Sequence, residues 1–409
     1  MRRLSVSLLV TTLFAGTAHA DFTIPGFELV HTSPVETSLT NPDLREPVAV
    51  WRELFDSAKK EIVIAQFYAV SKPGTAFEKV LASLTAAGQR GVKIRFLLDQ
   101  KGVGLSEAAT IARIKAIPNL DLRLIDFNKI TGNGIVHAKY LAVDGAVAYI
   151  GSQNFDWRSF EHIHETGLRI TEPAMVGQVQ AIFEQDWQAQ ALTSQGSRAT
   201  VLNSKVVPAN YAQSAFLLAS PNAYNPAGVG DSETGLPALL AEAKNEVRIQ
   251  LLDYAPLSYG PNRTRPYYAV IDNAVRAAAQ RGVKIKLMVS SWNTEAPAIA
   301  YLKSLALVPN VEIRIVTIPA ASTGFIPFAR VIHSKTMSID GKLAWVGTSN
   351  WAGGYFDLSR NLEVVLRNDA MAQRIAALHE QTWSSAYAQP IDINRQYPKP
   401  AKAAPQGKE

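Results

Sequence analysis

The chain has 409 residues, 47% of them hydrophobic, which is ample for a packed core in two domains or one large one. It contains no cysteine, so disulfides, thiolate zinc sites and cysteine nucleophiles are excluded. Lys and Arg total 41 against 35 Asp and Glu, a net charge of +6 that suits an anionic partner, phospholipid or nucleic acid, without choosing between them.

The chain opens Met1-Arg2-Arg3, runs apolar and small from Leu4 to Gly16, and reads Ala18-His19-Ala20 before Asp21. That is the layout of a secretory signal peptide over 1–20. Its apolar run of 13 residues is shorter than the ~20 that span a bilayer, and no later stretch is long and uncharged enough to do so. The expectation is an exported protein, periplasmic or secreted, with no transmembrane helix.

The first half then alternates helices with short apolar strands. A helix over 48–58 leads to a strand over 62–67, and a helix over 75–87 leads to a strand over 93–98. A further helix and the Pro118-Asn119 turn bring a strand over 122–125. The polar stretch 193–214 has no helical period and reads as a junction. The second half repeats the order: helix 236–243, strand 247–252, helix 268–279, strand 284–289, strand 313–316. The text repeats as well. Gly88-Gln89-Arg90-Gly91-Val92-Lys93-Ile94 matches Ala279-Gln280-Arg281-Gly282-Val283-Lys284-Ile285 at an offset of 191. Pro118-Asn119 and Pro309-Asn310 keep that offset. The expected organisation is a first repeat over 21–200, a second over 201–390 and a disordered tail over 391–409. Each repeat is expected to be α/β with a largely parallel sheet, the pair packed about a pseudo-twofold axis.

Each half also carries His-x-Lys-x4-Asp-x6-Gly-(Ser/Thr)-x-Asn. The copies are His137, Lys139, Asp144, Gly151, Ser152, Asn154 and His333, Lys335, Asp340, Gly347, Thr348, Asn350. The histidines are 196 apart, so about five extra residues lie before the second motif, in a Gly-, Pro- and Phe-containing stretch over 320–330 that reads as a loop beside the site. His and Lys two apart on a strand point to one face. Asp144-Gly145 and Asp340-Gly341 have the composition of a hairpin turn, so both aspartates read as structural rather than catalytic. The glycine lets backbone approach a phosphate, and Ser152 and Thr348 can donate to its oxygens.

Two imidazoles, two ammonium groups and two amides facing each other suit cleavage of a phosphodiester. Lys139, Lys335, Asn154 and Asn350 would hold the non-bridging oxygens. One histidine would attack phosphorus to form a phosphohistidine, and the other would protonate the leaving oxygen and then activate water or an alcohol. Lysine supplies the positive charge, so neither metal nor other cofactor is expected. Each histidine needs a partner on its second nitrogen. Glu165 and Glu363, each at the head of a following strand, are the candidates, with a surface salt bridge as the alternative at either. Trp157 and Trp351 follow the two asparagines and line the cleft or pack the core. His31, His162, His164 and His379 have no repeat counterpart and read as packing or surface residues.

These residues resemble the phospholipase D superfamily over nearly the whole exported chain. Gly151-Ser152-Gln153-Asn154-Phe155-Asp156-Trp157 and Gly347-Thr348-Ser349-Asn350-Trp351 are similar to the lysosomal phospholipase-D-like exonuclease and poxvirus envelope phospholipase-like branch. The resemblance implies one active site from two repeats, with His137, Lys139, Asn154, His333, Lys335 and Asn350 in it and Glu165 and Glu363 orienting the histidines. It leaves two activities open: hydrolysis or transfer at the distal phosphodiester of phospholipids, or metal-independent cleavage of single-stranded nucleic acid. An apolar rim at 325–328 would favour the lipid and peripheral membrane contact. An aromatic floor with a basic track would favour nucleic acid. A dead protein that keeps the cleft is disfavoured by the intact set of residues.

Overall fold

Short β-branched runs become strands, the central ones buried on both faces, and the same seven recur in each half. The computed structural model describes residues 21–197, 211–260 and 264–402. The signal-like segment 1–20 and most of the expected junction lie outside the described residues. In the first half the strands are β1 (Phe27–Thr32), β2 (Glu61–Gln66), β3 (Lys93–Asp99), β4 (Leu120–Ile125), β5 (Tyr140–Val143), β6 (Val147–Gly151) and β7 (Glu165–Ile170). In the second they are β8 (Ala215–Ser220), β9 (Glu246–Leu251), β10 (Lys284–Ser290), β11 (Val311–Val316), β12 (Thr336–Ile339), β13 (Leu343–Gly347) and β14 (Asn361–Arg367). The first sheet runs β1-β7-β6-β5-β2-β3-β4 and the second β8-β14-β13-β12-β9-β10-β11, the same order twice, with short strands added at the edges.

Neither sheet is largely parallel. Only β2-β3-β4 and β9-β10-β11 pair in parallel, and the other pairings among these fourteen strands are antiparallel. The reason is the Asp-Gly turn, which folds the motif into a hairpin and forces antiparallel neighbours. Both turn residues take positive φ: 54° and 64° at Asp144-Gly145, 53° and 64° at Asp340-Gly341. The Asp144 carboxylate accepts from the N–H groups of Lys59, Lys60 and Glu61, each at 2.8 Å, and Asp340 accepts from Lys244, Asn245 and Glu246 at the same distance. Each aspartate ties the hairpin to the start of the central strand.

Helices cover the outer face of each sheet: Pro47–Ser57 and Ala76–Gln89 in the first half, Ser232–Glu242 and Val270–Gln280 in the second. The inner faces share one core with the helices Pro173–Ser194 and Asp369–Trp383. Two α/β/α repeats are thereby packed back to back. A buried ion pair crosses between them: Arg360, fully buried, holds Asp186 through two 2.9 Å bonds and also reaches the carbonyls of Ser220 and Tyr224. Loss of either partner would strand a buried charge.

The described part of the expected tail is not free chain. Ile391 N–H donates to Ile313 O at 2.9 Å, Lys303 Nζ to Arg395 O at 2.6 Å, and Lys402 Nζ meets Glu295 at 2.7 Å. Its Pro-rich composition prevented helix and strand but not packing. Among the described residues no helix is long and apolar enough to cross a membrane.

Candidate active site

The motif histidines do not sit in the sheet ladders. Residues 136–139 and 332–335 precede β5 and β12 and dock across onto the other repeat. His137 and Ala138 N–H donate to Arg360 O at 3.0 and 2.9 Å, and His333 and Ser334 N–H donate to His164 O at 2.8 and 3.0 Å. Arg360 and His164 each stand just before the last strand of their sheet. The exchange is reciprocal, which is the signature of a twofold relation, and it brings both imidazoles into one cavity of about 730 Å³ together with Asn154 and Asn350.

The histidines differ in their second partner. His333 Nδ1 donates to Glu165 Oε2 at 2.8 Å. His137 Nδ1 donates to Asn361 Oδ1 at 3.0 Å. The Asn361 amide is held in that sense because its Nδ2 donates to Tyr355 O at 2.8 Å and its Oδ1 accepts from the Thr348 hydroxyl at 2.9 Å. Nδ1 of His137 therefore carries the proton and Nε2 is left with a free lone pair. Burial and the neighbouring Lys139 and Lys335 hold the His137 imidazole well below its usual pKa, so it stays neutral. Burial pushes Glu165 up to about 8, against the pull of Lys335, Ser152 and Ser159, and pushes His333 down. The Glu165–His333 pair therefore acts as one unit that holds a proton through neutral pH.

Both lysines are buried, and each Nζ donates to the carbonyl of its own motif histidine. Burial lowers them both. Lys335 falls to about 7, with Glu165 and Asp253 opposing, and Lys139 is depressed further by Lys335 itself. Two ammonium groups without an anion between them repel, and a bound phosphate relieves this. Asn154 and Asn350 line the cavity, and among the described residues the Oδ1 atom of each is buried without a hydrogen-bond partner. Among the described residues no group of three or more His, Asp or Glu is placed to hold a metal ion.

A family model described as "Cardiolipin synthase, PLD-like domain" matches residues 51–187 and 236–383, one match in each repeat. The chain belongs to the phospholipase D superfamily. It is a phosphodiesterase of the phospholipase D-like class. It is 31% identical to Phospholipase D Z of Dictyostelium discoideum over 83% of this chain and 85% of that protein. It is 30% identical to the 5'-3' exonuclease PLD3 of Xenopus laevis over 86% of this chain and 77% of that protein. In fold it is similar to the phosphatidylserine synthase of Haemophilus influenzae Rd KW20, with TM-score 0.60 and 11% identity over 84% of this chain and 85% of that one.

Within this phospholipase D-like site the expected residues divide. His137, Lys139, Asn154, His333, Lys335, Asn350 and Glu165 converge. Glu165 reaches the histidine of the other repeat, not its own. Among the described residues Glu363 bonds to no histidine. It sits opposite Gly347 in the β13–β14 register, where Gly167 sits opposite Gly151 in the first sheet, and it accepts from the Ser232 and Ser349 hydroxyls. The true counterpart of Glu165 is Asn361, at the same 196-residue offset as the histidines. That offset was readable, but a search for carboxylates passes over an amide.

Ser152 and Thr348 are fully buried and do not face the cavity. Thr166 N–H donates to Ser152 Oγ at 3.0 Å and Leu362 N–H to Thr348 Oγ1 at 3.0 Å, so both hydroxyls pin the adjoining strand. The motif glycines serve strand contact rather than phosphate approach. A Cβ at Gly151 would lie 2.9 Å from Gly167 Cα, and one at Gly347 would lie 2.6 Å from Glu363 Cγ. Trp157 lines the cavity, whereas Trp351 is buried against Trp345 and Tyr254 in the core of the second repeat. His31, His164 and His379 are buried packing residues. The 320–330 loop does lie beside the site: Pro327 and Phe328 form cavity wall, and Arg158 Nη1 donates to Pro327 O at 2.8 Å. Asp99 had no sequence signal. It accepts Val136 N–H at 2.6 Å and so sets the segment that carries His137.

Proposed function

We propose that the protein is an exported enzyme of phospholipase D type that hydrolyses or transfers at the distal phosphodiester of phospholipids. The observation that carries the lipid is the rim: Leu105 and Phe328 at the cavity wall are 51% and 40% exposed, and Phe325 in the same loop is 50% exposed. Exposed apolar side chains around a catalytic cavity suit the interface of a bilayer.

His137 Nε2 attacks phosphorus while Lys139, Lys335, Asn154 and Asn350 hold the non-bridging oxygens. The proton held by the Glu165–His333 pair passes from His333 Nε2 to the leaving alcohol oxygen. A water or a second alcohol then gives its proton to His333, attacks the phosphohistidine phosphorus and releases His137. The neutral amide partner of His137 and the proton-holding carboxyl partner of His333 support this division of roles.

A nuclease is the second reading. Trp157, Trp292 and Tyr355 line the same cavity and offer faces for bases, and a relative bears the name 5'-3' exonuclease PLD3. The test offers vesicles of phosphatidylglycerol, phosphatidylethanolamine or phosphatidylcholine and an end-labelled single-stranded oligonucleotide to the same preparation, with His137→Ala and His333→Ala as controls. Headgroup release that both variants lose supports the lipid reading. Nucleotide release with intact vesicles overturns it.

A further inference from the structure

Beside the catalytic cavity lies a second one of about 330 Å³, and Trp292 and Tyr355 line both. The repeat explains where it comes from. The loop after β2 carries Tyr68 and Val70, and the loop after β9 carries Asp253 and Ala255 at the same offset of 185. The loop after β3 carries Gly104 and Ser106, and the loop after β10 carries Glu295 and Pro297 at the offset of 191. Tyr68, Val70, Gly104 and Ser106 line an arm of the catalytic cavity, and their counterparts line the second cavity. The two flanks of the phosphate site are thus built from equivalent loops that differ at these positions, Tyr68 and Gly104 on one side standing where Asp253 and Glu295 stand on the other.

The charged flank is specific in what it offers. The Asp253 carboxylate makes no hydrogen bond or salt bridge among the described residues, and burial pushes its pKa up against the pull of Lys402, Lys335 and Arg265. Glu295, by contrast, is satisfied by Lys399 at 3.3 Å and Lys402 at 2.7 Å. Arg265 lies over the Tyr259 ring at 4.5 Å, with Nε spent on Ser258 O at 3.0 Å. An unpartnered carboxylate in a cavity gains most from a ligand O–H or N–H⁺ donor, and the rings of Tyr259, Tyr355 and Trp292 can cover a short carbon skeleton or a cation. At ~30 Å³ per water the space holds roughly ten small atoms, too few for an acyl chain.

We propose that this cavity is the subsite for a small polar substituent of the phosphodiester, an alcohol that carries a second hydroxyl or an ammonium group, with Asp253 as its acceptor. The proposal rests on the phosphodiesterase reading of the histidine pair and is independent of whether the natural substrate is a lipid.

The test uses p-nitrophenyl phosphodiesters whose other substituent is methyl, glyceryl or aminoethyl, which lack acyl chains and bases alike. The quantity read is the ratio of kcat/KM for the glyceryl or aminoethyl ester to that for the methyl ester. A ratio cancels the change in absolute rate expected because Asp253 also supports the Lys335 charge. The expected wild-type ratio is about 10 or more, the worth of one hydrogen bond to a charged group. Asp253→Asn brings it close to one, and so does Ala298→Tyr, which adds a ring to another residue of the cavity wall and leaves the Asp253 side chain unchanged. Hydrolysis by the wild type with no preference, or a preference that survives both variants, overturns the subsite alone. No hydrolysis of any ester overturns the phosphodiesterase reading and the subsite with it.

Discussion

The two repeats share strand order, hairpin turn and reciprocal docking, but they differ at the positions that partner the motif histidines, Glu165 and Asn361. A carboxyl on one imidazole and an amide on the other make two chemically distinct histidines from one duplicated motif. Duplication supplies geometry, and in the proposed mechanism this side-chain difference supplies the polarity of the reaction.

Removing the histidines is the strongest way to break that comparison. Both His137→Ala and His333→Ala are expected to lose about 10³-fold or more in kcat. Only His333→Ala should retain a trapped phosphoenzyme, detectable as label on the protein after acid-free quenching. Label that persists in His137→Ala would reverse the assignment. Next in size are the partners. Glu165→Gln is expected to cost about 10²-fold in kcat, since the pair can no longer hold its proton. Asn361→Asp is expected to cost roughly 10-fold and to move the acid limb of the kcat/KM profile to higher pH. The new carboxylate raises the pKa of His137, which must be neutral to attack. Equal effects of the two changes, with no movement of the limb, would remove the asymmetry.

The pH profile gives a smaller effect. Lys335 must be charged to hold phosphate, and it loses its proton as pH rises through about 7. The Glu165–His333 proton follows near 8. kcat/KM should therefore fall over pH 7 to 8, and the fall in kcat should lie at higher pH, because bound phosphate raises the lysine. A flat profile to pH 9 contradicts this. The smallest effect concerns Glu363, the carboxyl that holds no histidine. Burial raises it to about 7. Its folded-state pKa exceeds the unfolded value, so its stabilising contribution is complete below about 4.5 and is lost as pH rises through about 7. Glu363→Gln should raise stability by roughly 1–3 kcal/mol at pH 8 and change little at pH 5, as read by denaturant melts. Equal effects at both pH values would show that the carboxyl is not raised.

Most of the central architecture could be read from the chain, because it depends on local periodicity. The helices Pro47–Ser57 and Ala76–Gln89 and the strands β2, β3, β9 and β10 lie within a few residues of where hydrophobic spacing put them. The sheets are not largely parallel because strand direction depends on which strands become neighbours: β5 and β12 return antiparallel beside β2 and β9, and β7 and β14 beside β1 and β8, all far earlier in the sequence. Ser152, Thr348 and Trp351 fit a substrate role by residue type, but burial sets their use, and burial is a property of packing.

By itself the sequence determined the covalent inventory: two copies of one motif, their shared spacing and the absence of cysteine. Those facts were enough to name the chemistry, since phosphoryl transfer needs particular groups in a particular number. Only the tertiary structure decided that each histidine docks on the opposite repeat, that Asn361 rather than Glu363 meets His137, and that the two flanks of the phosphate site differ. Partners more than a hundred residues apart have no local signal. They meet because the shared core orients two sheets, and the burial that core creates sets which carboxyl keeps its proton.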